Sequence, residues 1–184
     1  LILSTAGIKK EEIDKVYSFL KNRKKAFCLL HCVGEYPTPD KNLELSQIDF
    51  LKNRYKDVSI GYSSHEDPKN FDNVRIALAK GAQIFEKHVG VSTNKYSLNK
   101  YSMDPQMAEK WLNSYKKTID SCGNGSIRFL KNLNELKSLK SLKRGVFFKR
   151  NISKNQVVTR KDLYFAFPSK ENQLLANDYS KYLN

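Results

Sequence analysis

Long apolar runs, cysteines and acidic residues are all scarce in this chain, and each shortage closes off a class of protein. The longest uncharged apolar runs, such as AFCLL and IALA, fall far below the roughly 20 residues that a membrane-spanning helix needs. No basic leader followed by a small-residue cleavage site opens the chain, so no membrane partner and no secretion are expected. The opening segment LILS reads as a strand instead, and the chain is therefore expected to begin inside its fold. Three cysteines, Cys28, Cys32 and Cys122, are too few and odd in number for a disulfide framework. They read as reduced core thiols of a cytoplasmic protein. Acidic residues number 19 against 33 Lys and Arg, a formal net charge of +14. The excess is mostly lysine, spread through KNRKK, KSLKSLKR and single positions, without an aromatic-interleaved basic strand or a cysteine finger. It reads as a solvated surface, with a nucleic-acid partner as the minority reading.

What remains is an ordinary globular mixture. Of 184 residues, 28% are charged, 40% hydrophobic and 11% aromatic, which supplies one packed domain or one domain with an appendage. Short apolar runs alternate with helical periods. LILS, AFCLLH, VSIGYS and AQIFEKHV read as strands. Ile13, Val16, Phe19 and Leu20 mark a helix over 11–21, Leu43, Leu45, Ile48 and Leu51 one over 43–51, and further helices are expected over 70–80 and 104–119. Asp104 and Pro105 provide a cap and a first-turn proline for the last of these. Four strand-then-helix units in a row predict an α/β fold with a parallel sheet, because each parallel connection needs a crossover.

The pattern decays after Cys122. Ile127, Leu130, Leu133, Leu136 and Leu139 recur about every three residues in a linker expected to carry one short helix. From Arg144 the texture becomes strand-like, RGVFFKRNISKNQVVTRKDLYFAFP, as in a small β-rich domain. The expected boundaries are 1–122 for the α/β part, 123–142 for the linker and 143–184 for the small domain.

Polar residues fall where the carboxyl ends of the strands are expected, the place where parallel sheets collect reactive groups. Ser4 ends the first strand and His31 the second, Ser63 and His65 follow the third, and Glu86 and His88 close the fourth. Side chains alternate along a strand, so Glu86 and His88 share a face above Ile84. Neighbouring strands lie about 4.8 Å apart, so His65 and His88 can converge on one ion if their strands are adjacent. Two imidazoles with a carboxylate nearby suit a divalent metal that keeps open positions. The plainer alternative for each histidine is a hydrogen-bonded loop residue, for Ser4 and Ser63 turn chemistry, and for Tyr36 an aromatic packed beside a proline turn.

The series LSTAG, LLHCVGEYPTP, IGYSSHEDP, GAQIFEKHV and FFKRNISKNQVVTRKDL resembles the sialic-acid synthase family. Its members show STGM, LLHC-x-x-x-YPTP, GYSDHT, GA-x-x-IEKHF and an antifreeze-like C-terminal domain, in this order and at this spacing. The resemblance implies the last four units of a (β/α)8 TIM barrel followed by the start of the antifreeze-like domain, with four further β/α units upstream. It implies an enzyme that condenses phosphoenolpyruvate with an N-acylmannosamine-type acylamino-aldose to a nonulosonic acid, releasing phosphate, as a homodimer. It further implies that His65 and His88 bind a divalent metal, Mn or Mg, that Glu86 and Tyr36 are catalytic, and that Ser4 and Ser63 hold the phosphate of phosphoenolpyruvate.

Several positions depart from the family motifs. Gly34 stands where the family has Asn or Ser, Ser64 replaces the Asp of SDH, and Leu98 occupies the Asp position of an absent Gly-Pro-Asp motif. Ala166-Phe167-Pro168-Ser169 replaces Lys-Arg-Pro-Gly. Metal and phosphate groups are mostly kept while sugar contacts are lost, so the acceptor is expected to differ from N-acetylmannosamine. A non-catalytic relative that binds a sugar or a protein partner through the same mouth is the alternative.

Overall fold

The computed structural model describes residues 1–123, 125 and 132–182. The chain divides into two units, Leu1–Gly125 and Ser126–Asn184. In the first, β1 (Ile2–Ser4), β2 (Cys28–Cys32), β3 (Ser59–Ser64) and β4 (Ile84–Lys87) form one parallel sheet in the order β1-β2-β3-β4. The crossovers carry α1 (Lys10–Asn22), α2 (Gln47–Arg54) and α3 (Asp72–Ala79), and α4 (Pro105–Cys122) follows β4. The α/β class and the parallel sheet expected from the sequence are therefore present.

Alternation along the strands sorts the side chains to two faces. Leu29, Ile60 and Tyr62 meet Ile13 of α1, Ile48 and Leu51 of α2 and Ala77 of α3 in one apolar cluster, with Leu3 and Phe85 packed against it. Phe85 also lies edge-on to Trp111 and Tyr115 of α4, with ring centroids 5.7 and 5.4 Å away. All four helices thus cover one face, as consecutive crossovers of one hand require. The other face carries Ser4, Leu30, Cys32, Gly61, Ser63, Ile84 and Glu86. Outside the sheet, α1 is tied to α2 by Asp14, which accepts from Arg54 at 2.7 and 2.6 Å and from the Tyr55 hydroxyl at 2.7 Å. These donors hold the Asp14 carboxyl well below the usual range, while burial, followed by the Asp14 bond, pushes the Tyr55 phenol up to about 12. All three cysteines are free, Cys28 and Cys32 buried and Cys122 exposed. Among the described residues no helix is long and apolar enough to cross a membrane.

Two sequence expectations need correction. The helix expected over 43–51 begins at Gln47. Glu44 has a positive φ of 48°, which a continuing right-handed helix cannot contain. His31, expected at the mouth with the other histidines, points into the helix layer instead. It shares a face with Leu29, its ring is stacked 6.0 Å from that of Tyr62, and only 5% of it is exposed. Its Nε2–H donates to the Leu43 carbonyl at 2.7 Å, while the Gln47 N–H turns to Glu44 at 2.8 Å. His31 therefore anchors the loop that delivers α2. At the start of α4 the sequence reading holds, since the Asp104 carboxylate accepts from the Met107 N–H at 2.7 Å.

The second unit contains α5 (Leu133–Ser141) and an antiparallel pair, β5 (Gly145–Phe148) with β6 (Leu163–Ala166). Asn132 caps α5 by accepting from the N–H groups of Asn134 and Glu135. Leu133, Leu136 and Leu139 lie exposed on this helix, and Ile127 and Leu130 fall outside the described residues. Between the strands Asp162 accepts from the Thr159 N–H at 2.9 Å and from Arg150 at 2.9 Å, and the Thr159 backbone bond leads in holding its carboxyl down to about 2.

Burial holds His31 below its ordinary pKa, the larger influence, against the opposing bond to Leu43. In the unfolded chain the ring takes up a proton near pH 6.5 while in the folded chain it still resists, so its contribution to stability is lost as pH falls through that window. His31→Leu should lower the unfolding free energy near pH 7.5 by about 1–3 kcal/mol, the cost of leaving a buried carbonyl unpaired. Urea melts of both proteins should show that difference shrinking toward pH 5. A difference that widens on acidification would contradict the assignment.

Candidate active site at the carboxyl ends of the strands

The face free of the helices ends in a cluster built by the β3–β4 register. Ser63 is paired with Glu86 across the ladder, and its hydroxyl donates to the Glu86 carboxylate at 2.8 Å. Two residues beyond each lie His65 and His88, whose ring centroids are 5.2 Å apart at an interplanar angle of 47°. Ser63 and His65 are buried, whereas Glu86 and His88 are exposed. His65 Nδ1 lies 3.0 Å from the Val33 carbonyl oxygen, which can only accept, so Nδ1 carries the proton and Nε2 the lone pair in the neutral ring. A backbone carbonyl that fixes the tautomer of an imidazole is the arrangement found behind metal-binding histidines.

Tyr36 is held over His65 by the turn that follows it. The Thr38 N–H donates to the His65 carbonyl at 2.9 Å and the Thr38 hydroxyl to that of Glu35 at 2.6 Å, leaving the Tyr36 ring 4.1 Å from His65. Ser4 stands apart. The registers Ser4↔Leu30 and Leu30↔Gly61 put it two strands away from β3 and one side-chain layer below Ser63. Among the described residues its hydroxyl accepts only from the nearby Ala6 N–H at 3.3 Å.

Sequence reasoning missed three residues here. Tyr101 completes a group of four rings, 5.0 Å from His88, 5.2 Å from Tyr36 and 6.1 Å from His65. Its segment is fixed to the end of β4, because the Met103 N–H donates to the His88 carbonyl and the Gly90 N–H to that of Met103, both at 2.9 Å. The stretch from 89 to 103 has neither strand nor helix periodicity. The only signal was an aromatic residue in a strand-to-helix loop, where functional groups concentrate. The other two are Glu66 and Lys87, an ion pair of 3.1 Å whose side chains are 0% and 6% exposed. The Tyr62 hydroxyl donates to the second Glu66 oxygen at 3.3 Å. Burial pushes the Lys87 ammonium below its usual pKa despite Glu66, and burial followed by the Glu66 charge raises the Tyr62 phenol.

His65 and His88 offer two nitrogen donors to a divalent ion, and their chemistry fits a transition metal that keeps open positions. Among the described residues no group of three or more His, Cys, Asp or Glu converges on one point. Glu86 is engaged with Ser63. Leu98 packs beside the same strand end, close enough that a Cβ on Gly90 would lie 2.9 Å from its Cδ2.

Residues 1–127 match the model of the NeuB family. The chain belongs to the NeuB family. This NeuB-family chain is 27% identical to the N,N'-diacetyllegionaminic acid synthase of Campylobacter jejuni over 187 aligned positions, covering 100% of this chain and 54% of the relative. A crystal structure of a protein described as spore coat polysaccharide biosynthesis protein E from Chromobacterium violaceum matches 99% of this chain and 54% of its own, at 43% identity and a TM-score of 0.85. The N-acetylneuraminic acid (sialic acid) synthetase of Leptospira borgpetersenii, solved with citrate, matches 76% of this chain and 48% of its own at 31% identity and a TM-score of 0.66. The chain thus spans about half the length of these relatives.

Tyr101 and Tyr36 roof the buried His65 ring, so their removal should open it. In Tyr101→Ala the rate of His65 carbethoxylation by diethyl pyrocarbonate, mapped by mass spectrometry, should rise several-fold, while His31 in the helix layer stays slow. Equal rates for His65 in both proteins would show that Tyr101 does not cover it.

Proposed function

We propose that this chain is the carboxyl-terminal half of a TIM-barrel synthase, followed by the start of an antifreeze-like domain. The full-length enzyme joins phosphoenolpyruvate to an open-chain acylamino-aldose, making a nonulosonic acid for a surface polysaccharide. The observation that carries this reading is the adjacency of the His65–His88 pair and the Ser63–Glu86 pair at neighbouring strand ends on the helix-free face. Strand order supports the barrel, since a sheet covered by helices on one face only is singly wound, as a barrel is.

The residues divide the work as follows. A divalent ion held by His65 and His88 would supply Lewis-acid polarisation of the aldehyde oxygen. The enol carbon of phosphoenolpyruvate forms the new bond to the aldehyde carbon, the C=O π pair moves to the aldehyde oxygen, and that oxygen takes up a proton to become the product hydroxyl. Water adds at the phosphate-bearing carbon, and phosphate leaves. Glu86 can take the proton from that water, with the Ser63 hydroxyl orienting its carboxylate. Ser4, one layer down, presents a hydroxyl toward the same mouth, where it can contact phosphate or the enolpyruvate carboxylate. Tyr36 lines the aldehyde side of His65.

Phosphate release by the full-length protein from phosphoenolpyruvate, measured with a panel of acylamino-aldoses and a divalent metal, tests the reading. At least one aldose should stimulate release, and Glu86→Gln should lower kcat by about 10²- to 10⁴-fold. Sugar binding by calorimetry without phosphate release across the panel would instead favour a non-catalytic binding protein.

Leu98 and Tyr101 give the mouth an apolar and aromatic rim where the resembling motif has an acid. A site built to hydrogen-bond a hydroxyl rejects ligands that lack it, and a site without such groups loses that preference. The full-length enzyme should therefore favour a deoxygenated acylamino-aldose over N-acetylmannosamine. Leu98→Asp should improve kcat/KM for N-acetylmannosamine by about tenfold or more. No change in the ratio of the two substrates would place Leu98 outside the acceptor pocket.

A further inference from the structure

The buried pair Glu66–Lys87 joins the two histidines from behind. Glu66 is the residue after His65, and Lys87 is the residue before His88. Their charged groups meet at 3.1 Å on the helix side of the sheet, the Lys87 ammonium also reaches the Glu66 carbonyl at 3.4 Å, and the Tyr62 hydroxyl braces the far carboxylate oxygen. A fully buried carboxylate needs such partners, since an unpaired charge away from water is costly. The ion pair also holds the register. Neither strand end can slide along the other without separating the charges.

The ladder places a second position opposite this lysine. Lys87 is the register partner of Ser64, so position 64 faces Lys87 on the same side of the sheet. Glu66 lies two residues farther along the same chain, which returns its side chain to that side, while position 64 itself carries a serine. We infer that the Glu66–Lys87 pair acts as a positioning element that sets the spacing of His65 and His88, and that a carboxylate at position 64, facing the same lysine, could take the place of Glu66. This rests on the metal-binding reading of the two histidines only for its affinity readout.

The exchange of positions can be tested directly. Glu66→Thr and the double variant Ser64→Asp/Glu66→Thr are made in the full-length protein. Each is measured without metal, by thermal melting and by the imidazole resonances of His65 and His88, and with Mn²⁺ by calorimetry. Glu66→Thr should lower the melting temperature, shift both imidazole resonances and weaken Mn²⁺ binding about 10- to 100-fold, the range seen when groups behind metal ligands are removed. The double variant should recover the melting temperature and both resonances, and bring Mn²⁺ affinity back to within about threefold of wild type. Resonances of His65 and His88 unmoved in folded Glu66→Thr, or left displaced in the double variant, would overturn the inference. Should Glu66→Thr fail to fold, Glu66→Leu/Lys87→Met replaces the pair with apolar groups of similar size that keep the fold. That protein should melt normally yet show displaced imidazole resonances. Native resonances there would reduce the pair to bulk packing. A wild-type protein that binds no Mn²⁺ would remove the metal reading alone, because the metal-free melting and resonance measurements still decide the role of Glu66.

Discussion

The parallel register of β3 against β4 is the constraint on which the rest of the mouth depends. One ladder pairs Gly61 with Ile84, Tyr62 with Phe85, Ser63 with Glu86 and Ser64 with Lys87. Because side chains alternate, a slip of one residue would send Glu86 into the helix layer and Lys87 into the mouth. Gly61 makes the close pairing possible. A Cβ there would overlap the Ile84 carbonyl oxygen and the Leu30 side chain, so any larger residue must push β4 outward and carry the Ser63–Glu86 contact with it. The buried Glu66–Lys87 pair then locks the same register, tying Lys87 of the last rung to a residue two positions past Ser64.

The two faces of the sheet treat chemically identical residues differently. His31 and His65 are each 5% exposed, and each gives a ring N–H to a backbone carbonyl. His31 spends Nε2 on Leu43 within the helix layer, where the hydrogen bond holds a loop. His65 spends Nδ1 on Val33, in a ring that lies among His88 and the two tyrosines. Burial alone therefore does not separate a histidine of the helix layer from one at the mouth. The nitrogen that is used, and the face to which strand parity sends the ring, do separate them.

Much of this was legible in the sequence, for reasons that are local. Runs such as CLLHC and SIGYS, separated by helical periods, announce buried parallel strands, and the carboxyl end of each strand can be counted directly. His31 was misplaced at the mouth because it ends a strand, although it is two residues from Leu29 and by alternation shares its face. The start of α2 was not legible, because it depends on the left-handed Glu44 and on a carbonyl held by a distant histidine. Lys87 carried no signal of its own within a lysine excess that reads as a solvated surface. Its burial follows from meeting Glu66, 21 positions earlier in the chain, and nothing in the local pattern of either segment encodes that meeting. Tyr101 was hidden for the opposite reason, in a loop with no period to analyse, fixed only by the bridge from Met103 to the end of β4.

The origin of each group explains which parts of the mouth match the family motifs and which depart from them. Ser63 and Glu86 are ladder residues, and His65 and His88 sit within one or two residues of the last rungs, so their positions are set by register and by a closely packed core. A change there disturbs the whole sheet. Leu98 and Tyr101 arrive on the long connection between β4 and α4, which can alter its surface without moving a strand. The polar groups suited to bond formation are thus the ones the fold holds most rigidly, and the apolar rim is the part free to vary. On the proposed synthase reading a new acceptor requires only a new loop, whereas a new reaction would require a new register.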